Sequence, residues 1–227
     1  MAGDEKSLTD TEHRPWELDS MDRLIVEKTL HYPEATLDFL KDSELLKTMP
    51  VLGWVVAFML DKSRIHDRIL ASMIKGFLES LASVGPTLKK RIVKIVCERQ
   101  CDARRVGNTI LILLAKASDT RKATILAYIF VAYVYGNITE ADFRRFADAI
   151  DQTFVDDLCR LLEDSELPSQ SDSDLMRYLS RSGITQPLGG NTIDEIGEIH
   201  YEVADLGRRL VEAYRYGTSQ RTQSSTP

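Results

Sequence analysis

The sequence predicts an all-α protein, a helical bundle of six to eight helices over roughly residues 18–163 followed by a small C-terminal α+β piece. Three observations predict it. Apolar residues recur every three or four positions through most of the chain before residue 163. The run ATILAYIFVAYVY, Ala123 to Tyr135, is apolar almost throughout and has the length of a helix buried on most sides. Beyond the abruptly polar stretch DSELPSQSDSD, residues 164–174, the pattern changes to a short helix, a glycine-containing loop and an alternating segment.

The first seventeen residues are polar and carry Pro15, and the last eleven (GTSQRTQSSTP) are small and polar, so both read as disordered ends. Between Leu18 and Leu46, apolar residues at helical spacing place one helix on each side of a break at Tyr32–Pro33. Met49–Leu60, broken by Pro50 and Gly53, reads as a further buried helix. A continuous stripe, Ile69, Leu70, Met73, Ile74, Phe77, Leu78 and Leu81, predicts a helix over Ile65–Leu81 with Asp67, Arg68, Lys75 and Glu79 opposite. Gly85 and Pro86 end it and start the next, which turns Leu88, Ile92, Val93, Ile95 and Val96 inward and Lys89, Lys90, Arg91 and Lys94 outward. A helix from about Arg105 to Lys116 comes before the apolar rod at Ala123. Gly136 and Asn137 supply a helix stop, and Thr139 with Asp142 has capping-pair spacing. The stripe Phe143, Phe146, Ala147, Ile150, Phe154, Leu158, Leu161 and Leu162 predicts one long helix packed back on the rod. The expected organisation is an N-terminal end at 1–17, the bundle at 18–163, a linker at 164–173, the C-terminal piece at 174–216 and a tail at 217–227. The linker leads to a short helix over Leu175–Ser182, a stop at Gly183, an alternation at Ile199, Tyr201 and Val203, and a last helix with Leu206, Leu210 and Val211.

Composition bounds the function. At 227 residues, with 43% hydrophobic and 28% charged residues and a net charge of −6, the chain is neither a uniformly basic nucleic-acid binder nor a low-hydrophobicity disordered tail. Three cysteines, Cys97, Cys101 and Cys159, and an opening (MAGDEKSLTDTEH) without the apolar run of a secretory signal lead us to expect a cytoplasmic protein. A twelve-residue apolar stretch falls short of the about 20 residues that a membrane helix needs. No transmembrane segment and no cofactor are expected.

The segment SDTRKATILAYIFVAYVYGNITEADFRRFADAIDQTFVDDL resembles uncharacterised bacterial all-helical proteins and, more loosely, tellurite-resistance TerB-like helical domains. The likeness rests on the aromatic and small residues of the rod, Gly136, Ile138, Phe143 and the pair Asp156–Asp157. It implies a fold, a bacterial source and no activity. Gly136 and Asn137 stand in the turn where those domains carry an acidic metal loop, so no metal is implied. LMRYLSRSGIT, a glycine-containing loop and IHYEVADLGRRLVEAY together resemble the latter half of a winged-helix domain: Leu175 to Ser182, Gly183, Ile184, Tyr201, Val203, Leu206 and Gly207 fit its order. Ala204 stands where that family commonly has Thr, and the residues before Leu175 form a loop where a complete module has two helices.

Charge is spread unevenly. Residues 86–122 hold ten cations and three acids, residues 1–47 six and twelve, and residues 138–166 three and nine. Lys89, Lys90, Arg91, Lys94, Arg104 and Arg105 are candidates for phosphate contact through counterion release; pairing with the chain's own acidic helices, or mere solvation of one face, is the favoured alternative. Arg177 and Arg181 would face a DNA groove if the winged-helix-like piece bound DNA. Its wing carries Asp194, Glu195 and Glu198 with no cation between Ser182 and Gly207, which favours protein contact or simple packing. Cys97 and Cys101, four apart and read as lying on one helix, can share a soft metal with His66, His200 or Cys159; burial as small apolar residues is the preferred reading. Asp148, Asp151, Asp156 and Asp157 are the best carboxylate group and read as a solvated acidic face. Met49–Leu60, with Trp54 and Phe58, is apolar around its circumference, which fits a buried helix better than one lying on a membrane surface. No phosphate loop, nucleophile elbow or His-Glu zinc helix occurs. The expected function is non-enzymatic: an intracellular interaction or regulatory protein whose C-terminal piece contacts a protein partner or a second copy, with a DNA-binding regulator using the 86–122 surface as the alternative.

Overall fold

The computed structural model describes residues 66–117, 119–163, 173–188 and 199–223. The helices expected before residue 66, the Met49–Leu60 segment, most of the linker and the acidic wing loop lie outside these residues. Among the described residues, six helices precede the linker: α1 (His66–Ala82), α2 (Pro86–Glu98), α3 (Gln100–Lys116), α4 (Thr120–Val134), α5 (Glu140–Gln152) and α6 (Val155–Glu163). After it come α7 (Ser173–Leu179), a 3-10 turn (Ser180–Ser182), β1 (Thr185–Leu188), β2 (His200–Val203) and α8 (Asp205–Gln223). The expected class, an all-α bundle with a small α+β piece, is what the structure contains.

The apolar rod is the axis of the assembly. In α4, Ala123 and every residue from Ile125 to Val134 are buried, because α1, α2, α3, α5 and α8 all pack against it. Rings link its neighbours: Phe130 lies 6.0 Å from Phe77 of α1 and 6.2 Å from Phe143 of α5, and Tyr128 meets Tyr214 of α8 edge-on at 5.8 Å. The helix stops as its sequence requires. Gly136 takes φ 79°, a left-handed conformation costly for a residue with Cβ, while the Gly136 and Asn137 N–H groups bond back to Tyr133 and Ala132 at 2.9 Å. The Thr139–Asp142 pair then forms a reciprocal capping box at the start of α5.

Four expectations need correction. Ile69 is 52% exposed and Val93 43% exposed, although the periodicity places both on inward stripes. At about 100° per residue each falls roughly 110–120° from the centre of its buried arc, past the edge that the neighbouring helices cover. Helix α3 begins at Gln100, a turn earlier than Arg105. The long helix expected from Phe143 to Leu162 is two helices, since Thr153 adopts an extended conformation (φ −92°, ψ 139°) and ends α5. Its hydroxyl donates to the Ala149 carbonyl at 2.6 Å. Phe154, expected inside, is 65% exposed at this turn, while Leu158, Leu161 and Leu162 of α6 return to the core. Finally, α8 runs through residues 217–223, where the polar composition predicts tail.

The two strands pair antiparallel in the register Thr185↔Val203 to Leu188↔His200. Leu175, Leu179, Ile184, Leu210, Val211 and Ala213 belong to the same apolar cluster as the bundle. Helix α8 is set directly against α4: an added Cβ at Gly217 would lie 2.1 Å from the Tyr128 carbonyl oxygen. Only a residue without a side chain permits that approach.

Candidate functional site

The structure divides the cation-rich segment into two parts with different fates. Its C-terminal part is neutralised by the molecule itself. Lys116 reaches the Asp151 carboxylate at 3.0 Å, and Lys122 donates to the Asp151 carbonyl at 2.9 Å, covering the end of α5. Burial holds the Lys122 ammonium below the usual lysine range, with Asp151 and Asp119 opposing. Arg121 bridges Asp119 (2.8 Å) and Asp156 (2.6 Å), which raises its affinity for the proton and lowers that of the Asp119 carboxyl. Asp151 and Asp156 are therefore ion-pair partners rather than a merely solvated face. Asp148 accepts from Gln152 at 2.9 Å. Asp157 is held above the ordinary aspartate range by burial and by the adjacent Asp156 charge.

The N-terminal part lies largely at the surface. Lys90, Arg91 and Lys94 are exposed on α2, Lys89 is half-buried, and Arg104 and Arg105 are exposed on the first turns of α3. The two groups flank an elbow at Arg99, itself exposed, whose backbone (φ −135°, ψ 58°) leaves the helical region between α2 and α3. Arg91 lies over the Tyr135 ring at 4.3 Å, and Tyr135 meets Tyr216 of α8 at 6.3 Å. Lys94 stands 3.8 Å from Glu98, a pair exposed on both sides and weak in water.

The elbow overturns the reading of Cys97 and Cys101 as one helix face buried at an interface. Cys97 lies in the last turn of α2, Cys101 in the first turn of α3, and both are exposed. Cys159 is half-buried on α6, and burial pushes its thiol pKa up. Among the described residues, no group of three or more His, Cys, Asp or Glu side chains is placed to hold a metal ion. Next to the elbow, the Tyr133 hydroxyl and Glu140 Oε1 are buried without a hydrogen bond among the described residues. Glu140 does lie 3.3 Å from Arg144, an ion-pair distance without bonding geometry. Burial pushes the Tyr133 hydroxyl above its ordinary pKa, with Asp102 adding to the effect and Arg99 opposing it.

A second feature lies where the C-terminal piece meets the bundle. The Thr153 and Ser182 hydroxyls bond at 2.9 Å and fasten the α5–α6 turn to the 3-10 turn. Phe154 projects from the first of these turns, and Tyr178, 47% exposed, lies one helical turn before Ser182. Arg177 and Arg181 set their guanidinium groups 5.4 Å and 5.8 Å from the Tyr178 ring. Arg177 also pairs with Asp174 at 3.0 Å. These two arginines are thus engaged with their own helix, apart from the α2–α3 cations in sequence and in element. Sequence reasoning missed Phe154 and Tyr178 as surface features. Its one available signal was the acidic pair Asp156–Asp157, which is favourable in a helix's first turn and marks α6 as a separate helix.

Among the described residues, no helix is long and apolar enough to cross a membrane. No family model matches the chain, and no curated protein or solved structure matches it significantly.

Proposed function

We propose that this chain is a non-enzymatic intracellular interaction or regulatory protein that binds a protein partner at the corner formed by the α5–α6 turn and α7. The observation that carries this reading is the composition of the two elements: exposed Phe154 on the α5–α6 turn, and on and just after α7 exposed Tyr178 with Arg177 and Arg181 near its ring. Aromatic residues and arginine are the types enriched in protein interfaces and in their energetic centres, whereas Lys and Glu are depleted there. The winged-helix-like arrangement serves on this reading as a scaffold that presents α7, in keeping with a piece whose apolar residues are continuous with the bundle core. The test is co-purification of the tagged full-length chain from its native host, with wild type beside Phe154→Ala/Tyr178→Ala. A partner retained by wild type and lost at least tenfold in the double variant, with unchanged circular dichroism, supports the proposal. Equal retention by both proteins refutes it.

A second reading is favoured by a separate observation, the exposed cations of the α2–α3 elbow, and makes the chain a DNA-binding regulator. Fluorescence anisotropy with a labelled duplex decides it. Binding that weakens steeply with salt and is lost in a Lys90→Glu/Arg91→Glu/Lys94→Glu variant supports this reading, and salt-independent or absent binding rejects it.

A further inference from the structure

We propose that Cys97 and Cys101 form a peroxide-oxidisable dithiol, a modification site that closes to a disulfide across the α2–α3 elbow. Both thiols are exposed, one in the last turn of α2 and the other in the first turn of α3, and they are separated by the single non-helical residue Arg99 and its neighbours. In an unbroken helix two cysteines four apart hold their Cβ atoms about 5–6 Å apart, beyond the about 3.5–4.5 Å that a disulfide requires. An intact helix would therefore keep this pair reduced. Here the backbone bonds at the joint pivot on Arg99, whose N–H donates to Ile95 at 2.8 Å while its carbonyl accepts from Ala103 at 2.9 Å. Closure on this proposal is a rotation about Arg99, with each of these bonds kept within its own helix.

The surroundings suit the chemistry. Lys94, Arg99, Arg104 and Arg105 are exposed on either side, with Glu98 near Lys94 and Asp102 as the acids of the joint. Accessible cysteines in cation-rich settings are the ones that react. One thiolate attacks a peroxide oxygen, breaking the O–O bond and giving a sulfenic acid and, after protonation, one water. The second thiol then attacks the sulfenic sulfur, forming the S–S bond and releasing a second water. Two thiols are oxidised and one peroxide is reduced. The third cysteine, Cys159 on α6, is half-buried and serves as an internal control.

The full-length chain is treated with hydrogen peroxide, quenched, unfolded and assayed for thiols and by peptide mapping. The expected result is a fall from three thiols to one, a linked peptide pair containing Cys97 and Cys101, a reduced Cys159, and recovery of all three thiols with dithiothreitol. In Cys101→Ser, Cys97 is expected to stop at the sulfenic acid, which dimedone traps. The proposal is overturned if both cysteines remain thiols while a model peptide carrying the same pair oxidises, if either proceeds to a sulfinic acid without cross-linking, or if the bond formed joins two chains.

Discussion

Replacing Gly217 with alanine tests the packing that joins the C-terminal helix to the bundle axis. The added Cβ would lie 2.1 Å from the Tyr128 carbonyl oxygen and 2.7 Å from the Tyr128 carbonyl carbon. Ordinary contact begins at 3.4 Å, so α8 must retreat from α4 by about 1.3 Å, and the obstacle is backbone that no side-chain rotation relieves. Overpacking of this kind costs about 1–3 kcal/mol, here towards the upper end. Alanine recovers about 0.5–1 kcal/mol of helix propensity, leaving a net loss of about 2 kcal/mol. Gly76, in α1, is the matched control because nothing lies within 4 Å of its added Cβ. Gly76→Ala should gain about 0.5–1 kcal/mol from the same propensity term. In urea titrations with a slope of about 2 kcal/mol per molar, the midpoint falls by about 1 M for Gly217→Ala and rises by a few tenths for Gly76→Ala. A Gly217→Ala protein as stable as wild type would refute the close approach of α8 to α4.

The corrected α5–α6 boundary predicts that Phe154→Ala changes stability by less than about 0.5 kcal/mol, whereas Phe146→Ala, which removes a fully buried ring from α5, costs about 3–5 kcal/mol. Equal costs in chemical denaturation would restore the continuous helix. Asp142 predicts a pH dependence. Its Oδ2 accepts from the Thr139 N–H at 3.2 Å and the Thr139 hydroxyl at 2.8 Å, and it meets Arg209 of α8 at 2.5 Å. Burial raises the carboxyl pKa, but the Thr139 bonds and Arg209 outweigh it and leave it lowered. Because the folded pKa is depressed, the stabilisation is complete above the unfolded aspartate value near about 3.9 and is lost as pH falls through the lower folded value. Asp142→Asn should cost about 0.5–2 kcal/mol at neutral pH and flatten the acid limb of a stability–pH curve. An unchanged limb would show that the carboxylate does not contribute. Arg209→Ala should reproduce part of the loss, since it removes one of three donors to the same oxygen.

The elements most legible in the sequence were those whose cause is local. The rod at Ala123 declares its burial by being apolar all round, the Gly136 stop and the Thr139–Asp142 cap follow from residue types at fixed offsets, and Gly85–Pro86 marks a boundary by backbone geometry alone. Lys116 and Arg121 pair with acidic side chains and Lys122 bonds the Asp151 carbonyl, but the sequence did not distinguish these from Lys90, Arg91 and Lys94, which are exposed on α2. Arg99 carries no breaker signal, so the elbow that separates Cys97 from Cys101 was not legible either.

What the sequence by itself determined is the class of fold, the central helix and its caps, because periodicity and end chemistry act within a few residues. Tertiary structure alone decided the break at Thr153, the exposure of Phe154, the division of the cations and the seating of Gly217 on Tyr128. These depend on which surface a distant segment covers and on which charge it carries there. A one-dimensional pattern encodes how a helix divides its faces, but not how wide an arc its neighbours will bury.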